Sequence, residues 1–328
     1  MQKELNRRDF TSGLLLSATG IAGLGTSAFA SSYPSKLIKV VVPFTSGGGT
    51  DVIGRSLIQL MSDDLGQSMI IDNKPGAGTV IGSDFVAKAG NDGHTLLMTT
   101  SALAINASLM NKLPYDTLND LPPVGRICDG PIVIAVRADS QIKSLSDLIR
   151  IAKERKGLLN YASSGNGSGV HMAAELFKMM AKVDILHIPY RGAGPAYTDL
   201  LAGQVDILFG TAGGTSKFVK SGQMRAIAVT SANRVDAYSG IPSVSETIPG
   251  YSSEVWYGLF ASKGTPNAII ERLSSALNKA AKTPSYKETL LKDGLNVSVN
   301  SPQEMAAFMK SEIERWRKVV VEQNIKPD

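Results

Sequence analysis

The 328-residue sequence contains one cysteine, Cys128, and three histidines, His94, His171 and His187. A lone cysteine excludes an internal disulfide and any cysteine-based metal site, and the histidines have no metal-ligand spacing between them. Aromatic residues are only 6% of the chain, which fits an α/β protein better than a β sandwich. Lys and Arg exceed Asp and Glu by 34 to 29, a net charge of +5, without the clustered basic residues that a nucleic-acid surface needs. After the N-terminal region no apolar run approaches transmembrane length. Catalytic signatures are scarce as well. No lysine follows Gly47-Gly48-Gly49 as a P-loop requires, no G-x-G-x-x-G spacing marks a dinucleotide site, and Ser164 and Ser168 lie outside any G-x-S-x-G elbow. His171 falls near Ser168 with no acidic partner evident, and Asp51 belongs in the first turn of a helix, where capping is the better reading than a base. Neither repeats nor a large apolar face supports a structural or surface-interaction protein. The composition therefore points to a binding protein, not an enzyme, without cofactor or metal.

What the chain does contain begins with an export signal. Asn6-Arg7-Arg8-Asp9-Phe10 resembles a twin-arginine motif, an apolar stretch rich in small residues follows from Leu14, and Ala28-Phe29-Ala30 fits an A-x-A cleavage pattern. Residues 1–30 read as a signal peptide removed after Ala30, by the twin-arginine or the general secretory route, which places the mature protein outside the cytoplasm.

Strand and helix patterns then alternate. Leu37–Val42, Ser68–Asp72 and Thr95–Thr99 read as strands, with helices over Asp51–Leu65 and about Ile81–Ala89. Such alternation implies βαβ units and a parallel sheet with helices on both faces. Prolines 114, 122, 123 and 131 precede a new buried strand at Ile132–Val136, so a domain crossing is expected near residues 123–132. A second βαβ series follows, with strands at Leu159–Ala162, Ile185–Pro189, Val205–Phe209 and Arg225–Thr230 and helices at Val170–Lys182 and Pro195–Leu201. Ser144 is expected to cap a helix with Asp147 in its first turn. After a further strand, Val255–Ala261, Thr265-Pro266 reads as a capping hydroxyl before proline at a first helical position, and Ser301-Pro302-Gln303-Glu304 as a capping box. Met305, Phe308, Met309, Ile313, Trp316 and Val320 form one stripe of the last helix, a core face that would pack back on the first domain. The expected architecture is two α/β lobes joined by two crossings, residues 32–131 with 250–328 in lobe 1 and 132–249 in lobe 2.

Each lobe carries a glycine-rich strand-to-helix turn. Val40–Phe44 runs into Thr45-Ser46-Gly47-Gly48-Gly49-Thr50-Asp51, and Ser163-Ser164-Gly165-Asn166-Gly167-Ser168-Gly169 repeats the pattern. Glycines let backbone N–H groups converge, and a helix N-terminus adds unpaired donors and partial positive charge. Thr99-Thr100-Ser101, Tyr190-Arg191-Gly192-Ala193-Gly194 and Phe209–Thr215 are loops expected at the same sheet edges, where ligands bind in open α/β sheets. Together they describe a cleft for a small polar ligand.

The chain from Pro43 to Asp51 also resembles the tripartite tricarboxylate transporter receptors, the TctC or Bug family. So do Asp72-Asn73-Lys74-Pro75-Gly76-Ala77-Gly78, Leu113-Pro114-Tyr115-Asp116, Asn160–Ser163, His187–Gly192, Asp199–Asp206 and Ala228–Ser231. The resemblance covers essentially the whole mature chain. It implies a two-lobed periplasmic binding protein of the type II fold, closing on a small carboxylate (a di- or tricarboxylate, an aromatic acid or an amino acid). It also implies presentation to the membrane components of a tripartite tricarboxylate-type transporter, with a sensing partner as the alternative. The expected ligand-binding residues are Phe44, Thr45, Ser46, Gly47, Gly48, Gly49, Thr50 and Asp51, with Thr100 and Ser101, in lobe 1. In lobe 2 they are Ser164, Asn166, Gly167, Ser168 and His171, with Tyr190, Arg191, Gly192, Thr211 and Ala212. Arg191 stands where lysine is frequent in the family and is either a carboxylate fork or a solvated edge charge. Gly210-Thr211-Ala212-Gly213-Gly214 departs from bulkier or acidic relatives, so the ligand cannot be copied from one of them. A monomer is expected.

Overall fold

A computed structural model describes residues 33–322 and 325–326. The twin-arginine motif, the apolar stretch and the cleavage site lie outside the described residues. The β-branched run becomes β1 (Ile38–Val42), followed by α1 (Gly49–Leu65), β2 (Met69–Asn73), α2 (Val80–Ala87), β3 (Thr95–Thr100) and α3 (Ala102–Leu109). Then comes β4 (Pro123–Arg137), a single strand of 15 residues. Beyond it lie α4 (Leu145–Glu154), β5 (Asn160–Ser163), α5 (Gly169–Ala181), β6 (Leu186–Pro189), α6 (Ala193–Leu201), β7 (Ile207–Thr211), α7 (Ala212–Lys220) and β8 (Met224–Val229). The chain finishes with β9 (Glu254–Phe260), α8 (Asn267–Ala281), α9 (Pro284–Lys292), β10 (Asn296–Val297) and α10 (Pro302–Glu322).

The strands form two sheet halves that share β4. One half runs β2-β1-β3-β9-β4 and the other β6-β5-β7-β4, with β8 on the far side of β4. In each half the first three strands are parallel. Each then meets an antiparallel neighbour, β9 against β3 and β4 against β7. The sheet is thus mixed, not parallel as the βαβ alternation suggests, because β9 returns late in the chain to lie between β3 and β4. The expected crossing near 123–132 is not a loop. It lies inside β4, whose residues Pro123–Pro131 pair with β9 and whose residues Ile132–Arg137 pair with β7 and β8. Thr230 ties the outgoing and returning chains together: its hydroxyl accepts from Ile132 N–H at 2.8 Å and donates to the Ser253 carbonyl at 2.6 Å.

The caps follow their sequence signals with one exception. Ser144 Oγ accepts from Asp147 N–H, and Ser301 and Glu304 form a reciprocal pair at the start of α10. Thr265, however, caps nothing. Its hydroxyl donates to the Ser262 carbonyl, and α8 begins at Asn267, one residue after Pro266. Helix α10 packs on α3, α8 and β4 through buried Met305, Met309, Ile313, Trp316 and Val320, with Phe308 half-buried. Both Trp256 and Trp316 donate their indole N–H to the buried Glu312 carboxylate. Cys128 is completely buried in β4, and burial pushes its thiol well above the ordinary value.

Candidate functional site

The opening loop is shaped by Asp51. Its carboxylate accepts from Gly47 N–H at 2.9 Å, from two Arg55 nitrogens at 2.9 and 3.0 Å, and from Asn73 Nδ2 at 3.1 Å. Burial alone would raise its pKa, but Arg55, the Gly47 N–H and Asn73 together hold it below the usual carboxylate range. Gly47 takes φ +79°, a conformation glycine adopts without strain. Asp51 therefore fastens the loop inside its own lobe and does not face the cleft. Gly48, the N-cap of α1, has no side chain to satisfy the helix's first N–H groups.

The start of α1 lines a small, partly open chamber of about 20 Å³ between the two sheet halves. Gly48, Gly49 and Thr50 line it from the start of α1, and Ser168, Gly169 and Val170 from the start of α5. Ala193 lines it from the start of α6 and Thr211, the N-cap of α7, completes the ring. Four helix N-termini thus converge on one space, and among the described residues no charged side chain lines it. Of the four, only α5 has a side-chain cap, Ser168 Oγ accepting from His171 N–H. Uncapped N-termini leave donors unpaired and add partial positive charge, so their convergence favours a small anion without help from a cation. Phe44, Thr100, Ser164 and Val255 fill the remaining wall.

Around this chamber the two lobes meet at glycines. A Cβ placed on Gly49 would lie 2.3 Å from Thr211 Oγ1, one on Gly192 would lie 2.3 Å from Thr45 Oγ1, and one on Gly169 would lie 2.7 Å from Ser101 Oγ. The Thr45 and Ser101 hydroxyl oxygens are buried without a hydrogen-bond partner, whereas Thr211 is met by the Tyr197 and Tyr257 hydroxyls from its own side. Buried hydroxyls are normally satisfied, and unsatisfied ones gathered at one interface mark a place built for polar groups from elsewhere. Across the cleft mouth, a Cβ on Gly78 would lie 2.2 Å from the Asn166 carbonyl oxygen, and one on Gly167 would lie 2.2 Å from Asn106 Oδ1.

A second, larger recess of about 400 Å³ opens at that mouth. Gly76–Thr79 and Met110 face it from lobe 1 and Asn166, Tyr190 and Arg191 from lobe 2, while Ser164 lines both spaces. Tyr190 donates to Asp199 at 2.6 Å, and burial together with that carboxylate pushes its pKa up to about 12.

Behind the second glycine loop lies a histidine pair. His171 Nδ1 accepts from Gly167 N–H at 3.3 Å and its ring stacks on His187 at 4.3 Å. His187 Nε2 is 2.7 Å from Ser163 Oγ, which also accepts from Gly165 N–H. Burial, then His171 and Lys178, lower the His187 pKa to about 3. His171 supports the loop from behind and does not line either space.

The expected residues thus fall into groups. Phe44, Gly48, Gly49, Thr50, Thr100, Ser164, Ser168 and Thr211 surround the chamber, and Asn166, Tyr190 and Arg191 surround the outer recess. Thr45, Ser101, Gly167 and Gly192 form the lobe contacts beside them. Ser46 is exposed at the loop tip, Gly47 is turned toward Asp51, and the Ala212 carbonyl accepts from Tyr238. The stretch Phe209–Thr215 is not a loop, since it ends β7 and opens α7. Gly169, Val170, Ala193, Val255, Met110, Gly76–Thr79 and Asn106 were not among the expected residues. The glycine density of residues 74–78 was a signal for some of them. Val255 carries none. Among the described residues, no group of three or more His, Cys, Asp or Glu side chains is gathered to hold a metal.

Comparison with known proteins bears on this geometry. Residues 53–325 match the model of the tripartite tricarboxylate transporter family receptor. Protein BugT of Bordetella pertussis is 36% identical over 319 residues, 95% of this chain and 98% of that protein. MatC from Rhodopseudomonas palustris, solved with bound malate, is 31% identical with a TM-score of 0.84, covering 88% of this chain and all of that one. The R. palustris protein Rpa4515 with adipate is 33% identical, also with a TM-score of 0.84, over 90% of this chain and 99% of that one.

Proposed function

This chain belongs to the tripartite tricarboxylate transporter family of receptors, and on that premise we propose that it is an exported, monomeric solute-binding protein closing on one small carboxylate for a transporter of that kind. The observation that carries the reading is the convergence of the α1, α5, α6 and α7 N-termini on a chamber that no charged side chain lines among the described residues. A carboxylate head group satisfies those donors, and the partnerless hydroxyls of Thr45 and Ser101 stand at the lobe contacts beside them. Its ligand residues are those lining the chamber and the recess, with Gly47, Asp51 and His171 shaping the loops. The lobes we assign are residues 32–131 with 250–328, and 132–249, rotating about β4 and the return near Ser253. The protein's place is the periplasm and its partner the membrane part of the transporter. Relatives of this fold hold malate and adipate, which fits a carboxylate here.

The energetics suffice. A charge-assisted hydrogen bond contributes about 1.5–3 kcal/mol net. Four to six of them offset an association cost of about 4–15 kcal/mol and leave room for micromolar binding, about −8 kcal/mol. The test is thermal unfolding of the purified protein against mono-, di- and tricarboxylates, aromatic acids and amino acids. A true ligand at one hundred times its Kd adds about 2.7 kcal/mol. No stabilisation by any of these acids would refute the reading, and release of a chemically altered acid would replace binding with catalysis.

A further inference from the structure

Away from the cleft, three large apolar side chains stand in water at one end of the sheet half that contains β5 and β6. Leu158 is 75% exposed, Leu186 57% and Met179 37%. Two turns bring them together. Gly157, at φ +70° in the turn after α4, donates its N–H to the Asp184 carbonyl at 3.4 Å in the turn after α5. Leu186 N–H then donates to the Leu159 carbonyl at 2.9 Å as β6 joins β5, and Lys182 N–H donates to the Met179 carbonyl at 3.2 Å. Both turns lie at the opposite ends of β5 and β6 from the second glycine loop. About 20 Å of extended chain separates Leu158 from Ser164.

The same two turns are basic. Lys153, Arg155 and Lys156 stand at the end of α4 and Lys182 at the end of α5, all exposed. Arg150 is taken up by Asp147 and Glu154, and Lys178 by Glu175, whereas those four make no ion pair among the described residues. Arg155 also lines a recess of about 320 Å³, where Asp139 pairs with Arg137 and Asp206 accepts from Asn160 N–H, so both acids are already engaged. Asp184 is the exposed carboxylate that remains beside them. Lysine is depleted in protein interfaces, whose anchors are aromatic rings and arginine. Here lysine prevails and the exposed apolar side chains are aliphatic. That is the chemistry of a lipid interface, where long cationic side chains reach phosphates and aliphatic ones sink among the head groups.

We propose that this end of the molecule is a membrane-contact surface, on which the receptor rests reversibly against an anionic bilayer. Lys153, Arg155, Lys156 and Lys182 meet the lipid phosphates, while Leu158, Leu186 and Met179 enter the head-group layer. Each cation close to an anionic surface strengthens binding about fivefold, and the gain fades as salt shortens the Debye length. The glycine loop stands at the far ends of the same strands, so a molecule held this way keeps its cleft clear of the bilayer. No ligand enters the inference, which therefore stands apart from the carboxylate reading.

The test is co-sedimentation of the protein, freed of its signal peptide, with vesicles of phosphatidylcholine alone or of equal parts phosphatidylcholine and phosphatidylglycerol. Binding is expected to the mixed vesicles only, and to weaken as sodium chloride is raised. Changing Lys153, Arg155, Lys156 and Lys182 together to Gln is expected to weaken it roughly a hundredfold. The same change at Lys282, Lys287, Lys310 and Lys318, exposed lysines elsewhere that also make no ion pair among the described residues, removes equal charge and is expected to leave most of the binding. Leu158→Ser with Leu186→Ser is expected to cost about tenfold. As a readout that needs no loss of binding, a polarity-sensitive dye on Leu158→Cys is expected to shift to the blue with mixed vesicles, and the same dye on Leu291→Cys to stay unmoved. No binding to the mixed vesicles, equal losses in the two lysine sets, no effect of the leucine changes, or equal dye shifts at 158 and 291 would each overturn the proposal.

Discussion

Glycine at position 49 serves two masters, the helix it opens and the lobe it faces. Alanine there suits a helix better by up to about 1 kcal/mol. Its methyl, however, would lie 2.3 Å from Thr211 Oγ1 and 3.3 Å from the Gly214 nitrogen across the cleft. Gly49→Ala is therefore expected to weaken ligand binding at least about tenfold while the unfolding midpoint without ligand stays the same or rises, as read by calorimetry and circular dichroism. A fall in that midpoint matching the loss of affinity would make Gly49 a folding position only. His187 gives a pH prediction. Its pKa is lowered from 6.5 to about 3, by burial first and then by His171 and Lys178. Below pH 6.5 the unfolded chain takes up a proton that the folded imidazole refuses, so stability declines as pH falls from 6.5 toward 3, by up to about 1.4 kcal/mol per pH unit. Urea midpoints at pH 7, 6 and 5 should show a shallower slope for His187→Gln, and identical slopes would remove His187 as the cause.

At the scale of elements, the joint between the lobes depends on one hydroxyl. Thr230 is fully buried and serves Ile132 N–H on the way out and the Ser253 carbonyl on the way back. Thr230→Val keeps the shape and leaves a buried donor unpaired, an expected loss of about 1–3 kcal/mol in urea unfolding, with Thr230→Ser losing less. Equal losses in the two variants would assign the effect to packing instead. Elements bounded by local signals were legible in the sequence: β1 from its β-branched run, α1 from the glycines before it, and α10 from its capping box and apolar stripe. Strand β4 was not, because prolines 123 and 131 read as breaks. In the fold, Pro123 stands first in the strand and Pro131 stands at its last pairing with β9, positions where a missing N–H costs little. Helix α3 and the first turn of α7 were hidden by hydroxyls and glycines that also suit loops.

For the whole molecule, what each half contributes was readable and how the halves meet was not. The glycine loops of residues 45–50 and 164–169 announce themselves by composition, but their approach across one chamber depends on β9 inserting between β3 and β4, a contact between residues more than 120 positions apart. Hence Val255, which lines the chamber from β9, had no signal, while Gly76–Thr79 could be seen only as a turn. The lobe contacts through Gly49, Gly78, Gly167, Gly169 and Gly192 describe a closed molecule. A saturating dicarboxylate is accordingly expected to lower the radius of gyration measured by solution X-ray scattering, and Gly49→Ala to abolish that change. The same radius with and without a bound acid would show that the closed form exists unaided.

Cys128, sealed within β4 with its thiol held in the unreactive protonated form, has a practical outcome. Any cysteine introduced at the surface will be the only one a maleimide dye can reach. A donor and an acceptor fluorophore, placed one on either side of the mouth, would let single molecules be watched opening and shutting without first removing a native residue.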